Sequence, residues 1–316
     1  MSIKGKREPF FKLSRWLFVL VVFGGLFITA TMADETRDLS NQTENHRQSV
    51  EAWRESRDER LRKPNGWLTL TGLEWLKEGE NRIGRAADND IQLSGGPEHW
   101  GSVVLQNDQV YFKNADLENV KINNEALSQA TLIPDTEGEP TTITSGTLNI
   151  TLIYRESYAL RIKDSQATTL KNFKGVDNYP IDESWRIDGR FIPAEEGATM
   201  EITNVLGQVS ESPVLGTFEF DQGGKTYSLL GLNEDDSGRL WFIFADRTTG
   251  HGTYGAGRYL YSEGAPENGH LTVDFNKAYN PPCAFNAYST CPIPPQRNRM
   301  DLQVLAGEKE FHPDSG

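Results

Sequence analysis

Cysteine is nearly missing from this chain of 316 residues, which has only Cys283 and Cys291. Two cysteines cannot staple a coreless miniprotein or build a four-thiolate zinc site. Histidine is as sparse, at positions 46, 99, 251, 270 and 312. No His-x-His or His-Glu-x-x-His spacing occurs, so no metal site is expected. Long alanine- and leucine-rich stretches with a helical period are missing, which disfavours a helical bundle. The longest apolar run, Trp16 to Ile28, is short against the roughly 20 residues of a spanning helix. There is no Gly-x-Ser-x-Gly elbow, and no dinucleotide fingerprint sits between a strand and a helix. No cofactor is implied. Positive charge is in deficit, with 32 Lys and Arg against 45 Asp and Glu, a net of −13. Such a surface repels phosphate backbones, so nucleic acid is not an expected partner. Plain solubility is its simplest consequence.

The positive charge that exists is concentrated at the start. Lys4, Lys6, Arg7, Lys12 and Arg15 precede the apolar run, and Thr31-Met32-Ala33 offers small residues where a signal peptidase reads. Residues 1–33 therefore read as a secretory signal. The alternative is an uncut anchor, the one route by which a membrane enters the expectation. Residues 1–33 hold five basic residues and one acid, so their removal leaves −17. The expected location is exported, periplasmic or extracellular. In such a compartment Cys283 and Cys291 pair more readily than they stay free.

Residues 34–64 form a polar lead-in, with Val50, Trp53 and Leu61 near one face of a predicted helix. Pro64-Asn65-Gly66 stops it. From residue 65 to 165, alternating apolar and polar segments recur about every ten residues between Asn, Asp and Gly turns, as in a sandwich. Asn123-Asn124 predicts a tight hairpin turn. After a polar connector, residues 178–310 form a second β region, with a proline-rich loop over 279–295 and a last predicted strand at Asp301–Leu305. The predicted fold class is mainly β: an N-terminal β-sandwich plus a C-terminal antiparallel β domain, with one N-terminal helix.

The stretch Gly84-Arg85-Ala86-Ala87-Asp88-Asn89-Asp90-Ile91 resembles the first signature of forkhead-associated domains, β-sandwiches that bind phosphothreonine. The resemblance implies that Arg85 would reach phosphate and that Asn123-Asn124 would lie beside a bound peptide. The family's Ser-x-x-His appears reversed, with His99 before Ser102. The plainer reading is that Arg85 pairs with Asp88 or Asp90 across a turn.

Three segments of the C-terminal half concentrate polar chemistry. On a predicted strand, Arg186, Asp188 and Arg190 face one way. The arginines either grip a carboxylate or phosphate or neutralise the aspartate between them. Next, an apolar strand ends at Asp246 before a glycine-rich turn carrying His251, Tyr254 and Arg258. Gly255 and Gly257 leave bare backbone that a ligand or another strand can approach. The third segment brings Asp274, Asn276 and Asn280 into the proline-rich loop. Together the three resemble a bacterial family catalogued as domain of unknown function 1684, over most of residues 50–310, with Asn-Pro-Pro-Cys-Ala-Phe as the most specific part. That resemblance implies a fold group and no reaction.

The expectation is a C-terminal pocket in which Arg186, Arg190, Tyr254, Arg258, Asn276 and Asn280 bind a small anionic molecule. The catalytic candidates are Asp246, Asp274 and His251, which would make the protein a hydrolase. Cys283 as a nucleophile is the weaker reading beside a disulfide. A third class is a protein-interaction module using the sandwich around Arg85, with a protein partner. All of these polar groups would serve equally to hold an irregular core by internal hydrogen bonds.

Overall fold

The computed structural model describes Met1, residues 40–235 and residues 237–312. The expected signal beyond Met1 lies outside the described residues. The chain divides into two units, Met1–Glu51 and Ala52–Gly316. In the first, residues 40–51 are helical, and Arg47 reaches Glu44 and Glu51 at 2.6 Å each. Such spacings put side chains on one helical face. In the second, residues 52–61 are helical (α1), and the turn at Pro64-Asn65-Gly66 follows as expected.

The sandwich is built from ten strands: β1 (Leu70–Trp75), β2 (Gly79–Gly84), β3 (Ile91–Gln92), β4 (Gly101–Gln106), β5 (Gln109–Asn114), β6 (Lys121–Ile122), β7 (Gln129–Thr131), β8 (Thr142–Ser145), β9 (Leu148–Arg155) and β10 (Ser157–Asp164). One sheet runs β1-β10-β9-β8-β6 and the other β3-β2-β4-β5-β7. Only β2 and β3 pair in parallel. Ile150 and Leu152 of β9 and Leu160 and Ile162 of β10 meet Val103 of β4 and Phe112 of β5 in one core. Burial of such side chains contributes roughly 1.5–3 kcal/mol each. Asn123 and Asn124 both have positive φ, 49° and 68°, and Ile122 and Glu125 exchange both backbone hydrogen bonds around them. This is the expected tight turn, at residues that tolerate the left-handed region.

Because the side-chain period is two, Ala159, Arg161 and Lys163 of β10 face away from that core. Yet Ala159 is fully buried and Arg161 is only 9% exposed. Trp67 covers part of this outer face, lying under Arg161 and Lys163, and residues of the C-terminal half stand across a cleft from Arg161.

After a short helix, α2 (Thr168–Asn172), come β11 (Arg186–Pro193), β12 (Thr199–Thr203), β13 (Val209–Gln222), β14 (Lys225–Leu232), β15 (Trp241–Phe244), β16 (Arg258–Tyr261) and β17 (His270–Asp274). Their order is β16-β15-β14-β13-β11-β17, with β12 paired to β13. Phe242 and Phe244 of β15 enter one core with Phe218, Phe220 and Phe275. Ile243 faces the opposite way, into a second cluster with Tyr259, Leu230 and Cys291. The loop 282–295 covers that second face. Ile293 N donates to Thr203 O and Val205 N to Cys291 O, both at 2.9 Å.

The predicted strand at Asp301–Leu305 does not form. Its backbone is claimed by side chains: Val304 N donates to Asp246 Oδ2 at 2.7 Å and Val304 O accepts from Arg258 at 3.1 Å. Those partners replace a ladder, so the segment is irregular.

Candidate functional site

The residues singled out in sequence are held by their own neighbours. Arg186 donates to Glu263 at 2.6–3.2 Å, and Arg190 pairs with Glu219 on the adjacent strand. Each arginine is neutralised by a glutamate, not by Asp188. Asp274 accepts from the backbone and side-chain nitrogens of Asn276 at 3.0 and 2.9 Å, and lies 3.5 Å from Lys277. Asn276 also bonds both backbone groups of Asp182. The Asn280 amide nitrogen donates to Lys309 O at 2.7 Å.

Asp246 and Arg258 form a buried pair at 3.5 Å with side chains 0% and 1% exposed. Asp246 also accepts from Thr248 and Val304, and Arg258 donates to the carbonyls of Val304, Ala306 and Glu308. Burial holds the Arg258 guanidinium below its ordinary range, against the pull of Asp246. The pair ties down residues 304–308. Tyr254 donates to Cys283 O at 3.1 Å, and the exposed His251 ring nitrogen sits 3.2 Å from Thr249 O. Gly257, at φ 93°, is approached by Pro294 and Phe244 O, so its bare backbone serves packing. Cys283 and Cys291 are bonded, with Cα atoms 6.1 Å apart, so neither is a free nucleophile. Arg85 lies 3.8 Å from Glu98, whereas Asp90 is taken by Arg82 at 3.0 Å.

Other residues, with Cys291 alone among these, line a cleft. That cleft, of about 360 Å³, lies where the outer face of β10 meets the second face of the C-terminal sheet. Its volume falls within the usual range of small-molecule sites. On the sandwich wall, Arg155 grips both oxygens of Asp135 at 3.0 and 2.8 Å. Arg161 stands 3.6 Å from the same carboxylate and 5.1 Å over the Trp67 ring. Its Nε has no hydrogen-bond partner. Burial drags the Arg161 guanidinium down to about 10, with Asp135 opposing and Arg155 adding to the fall. Lys163, beside it, is pushed down to about 8 by burial and then by Arg161.

The opposite wall is aromatic and acidic. Trp241 and Tyr259 meet edge to face at 5.0 Å, as do Tyr259 and Tyr279 at 5.8 Å. Tyr259 donates to Pro292 O at 2.8 Å. Burial raises the Tyr259 and Tyr279 phenols, with Glu234 next, so both stay neutral donors. Glu234 is open to solvent on one side. Partial burial, then Asp235, pushes its carboxyl up to about 6 against the pull of Arg239. Ser289, Thr290, Cys291 and Pro292 of the disulfide loop close the wall. Arg57 of α1 caps one end, 4.8 Å from the Tyr279 ring and bonded to Glu308 at 3.0 Å.

Apart from Cys291, the residues that make this cleft were not among the candidates read from sequence. One signal was present: Arg161 alternates with Ala159 on the face of β10 that a lone sandwich would leave wet. Its chemistry became special only when a second layer landed on it.

Residues 171–309 match the model of a family described as protein of unknown function (DUF1684). The match takes in the C-terminal sheet and the disulfide loop and stops short of the sandwich, a narrower span than residues 50–310. No curated protein matches the chain. Among solved structures, an uncharacterized protein of Haloarcula marismortui is 28% identical over 44% of this chain and 78% of that chain, with a TM-score of 0.38. An FhaA FHA domain, crystallised with an intracellular domain, is 16% identical over 29% of this chain and 97% of that chain, with a TM-score of 0.21. An FHA domain studied for phosphothreonine-dependent interactions gives 16%, 29%, 92% and 0.21 in the same order.

Proposed function

We propose that this is an exported binding protein whose interlayer cleft takes a small anionic ligand. The acid group docks on Arg161 and Arg155, and a flat or apolar body lies between Trp67 and Trp241. One observation carries the reading: Arg161 is nearly buried, lines the cleft and shares a carboxylate that Arg155 already occupies with two hydrogen bonds. A buried guanidinium with open donors costs stability unless something completes it. An anion entering the cleft would do so with charge-assisted hydrogen bonds. The site differs from the one expected from sequence, while the ligand chemistry is the same.

The extracytoplasmic address is supported by the Cys283–Cys291 bond and by the basic-then-apolar start of the sequence. No described helix is long and apolar enough to cross a membrane. The hydrolase reading through Asp246 and Asp274 finds no support in geometry, because both carboxylates are buried in internal hydrogen bonds.

Isothermal titration with galacturonate, citrate, sulfate and inorganic phosphate tests the proposal. At least one should bind, and Arg161→Met should weaken it by about 10- to 100-fold, the loss of a hydrogen bond to a charged group. Heat from none of them, or unchanged affinity in the variant, overturns it.

A further inference from the structure

The cleft does not end at Trp241. It opens into a larger groove of about 790 Å³ that shares Asp135, Arg155, Glu234 and Trp241 with it. The two hollows have different chemistry. The inner one sets three arginines and a group of aromatic rings beside two carboxylates, Asp135 and Glu234. Beyond the shared residues, the outer one adds the neutral hydroxyls and amides of Thr136, Asn204, Gln208, Ser210, Ser212 and Asn233, and one further carboxylate, Glu156, which accepts from Val209 N at 2.9 Å. Asn204 and Gln208 bond to each other at 2.8 Å, and Gln208 also reaches Arg155 O at 2.6 Å, so the groove wall is fixed to the sandwich. No described side-chain hydrogen bond engages Thr136, Ser210, Ser212 or Asn233. At the rim stands Tyr154, 41% exposed and held 4.9 Å from Tyr158.

We propose that cleft and groove are adjoining subsites for an acidic oligosaccharide. This rests on the anion-binding reading of the inner cleft and names its substrate class. One uronic-acid unit places its carboxylate on Arg161 and Arg155, with its ring against Trp241. The following units run outward, their hydroxyls meeting the free Ser, Thr and Asn side chains and a ring face meeting Tyr154. Three features favour sugar over peptide. The free lining groups are neutral and short, suited to dispersed hydroxyls. Aromatic side chains punctuate both hollows, offering flat apolar faces with a polar edge. Arg161 lines only the inner hollow and Arg155 stands where the two join, while the groove beyond adds Glu156 and no further cation, so one acid group is read at the inner end and the rest of the ligand is read by hydroxyls.

The test is calorimetric titration of the full chain with galacturonic acid, a trisaccharide of one galacturonate followed by two galactose units, a neutral galactose trimer and triglutamate. The singly acidic trisaccharide should bind at least tenfold tighter than the monomer, and tighter than either other trimer. Tyr154→Ala and Asn233→Ala, with melting checked against wild type, should each shrink the trimer-to-monomer ratio towards one. If the monomer binds through Arg161 but the trimer gains nothing, the groove is no subsite and this inference alone fails. Triglutamate matching the singly acidic trisaccharide also overturns it, in favour of an acidic peptide. If none of the anionic probes produces heat, the anion-binding reading falls with it.

Discussion

Arg155 holds both oxygens of Asp135 at 3.0 and 2.8 Å, while Arg161 waits 3.6 Å from the same carboxylate. Two guanidinium groups thus share one counter-charge beside a cleft. The trio predicts opposite effects from its two ends. Arg161→Met removes the group with the weaker partner and leaves the Asp135–Arg155 fork intact. Its stability should stay level or rise by about 1 kcal/mol, as when an apolar side chain replaces a buried charge. Asp135→Asn leaves the nearly buried Arg161 and the partly exposed Arg155 without their shared counter-charge and should cost about 3 kcal/mol. Urea unfolding of both variants checks the signs; a large loss from Arg161→Met would mean that Asp135 satisfies it after all.

The Asp246–Arg258 pair should behave as structure. Both side chains are fully buried, and Arg258 donates to three carbonyls of residues 304–308. Asp246→Ala should destabilise the protein by about 3–5 kcal/mol, the usual cost of stranding a buried charge. Hydrogen exchange should then speed up first at Val304, whose amide loses its acceptor. Anion affinity measured below the unfolding transition should stay at the wild-type value, since neither residue lines the cleft.

Much of the architecture was legible because it is local. Asn123-Asn124 announces a left-handed turn by residue type alone, and the period-two pattern in β9 and β10 sorts core from outer face. The site was not legible, because its walls are distant in sequence: Arg155 and Arg161 meet Glu234, Trp241 and the loop around Cys291. Period two says which way Arg161 points but not what settles over it. The Asp246–Gly257–Arg258 stretch misled for the converse reason. Its glycines and charges look prepared for a ligand, whereas Gly257 admits Pro294 and Arg258 admits the chain's own carbonyls. Asp301–Leu305 has a strand's pattern but meets side chains where a neighbouring strand would have to be.

The disulfide should matter to binding as well as to folding. Cys283 and Cys291 are eight residues apart and close the loop that carries Ser289, Thr290 and Pro292 to the cleft wall. Chain entropy puts the stabilisation from so short a loop at about 2–3 kcal/mol. Reduction, or Cys283→Ser with Cys291→Ser, should lower the melting temperature by several degrees. It should also weaken anion binding more than Asp246-side variants do, because a loosened wall readmits water beside Arg161. Equal affinity with and without reductant would separate the loop from the site.

Binding should also depend on pH, with a sign set by Glu234. Partial burial, then Asp235, raises its carboxyl from 4.5 to about 6, so above that pH it puts a negative charge into the cleft that repels an incoming anion. Affinity for a sulfate ester, which does not titrate in this window, should therefore rise as pH falls from 7.5 to 5. Lys163, held down to about 8, titrates above the window. Glu234→Gln should bind at all these pH values as the wild type does near pH 5. The stability effect runs the same way. A carboxyl whose folded value lies above its unfolded one stabilises the fold below about pH 4.5, and that contribution is lost as pH climbs through 6. Glu234→Gln should thus gain stability relative to wild type only on the neutral side. A flat affinity profile in the wild type, or one that persists unchanged in Glu234→Gln, would show that another group sets the charge of the cleft.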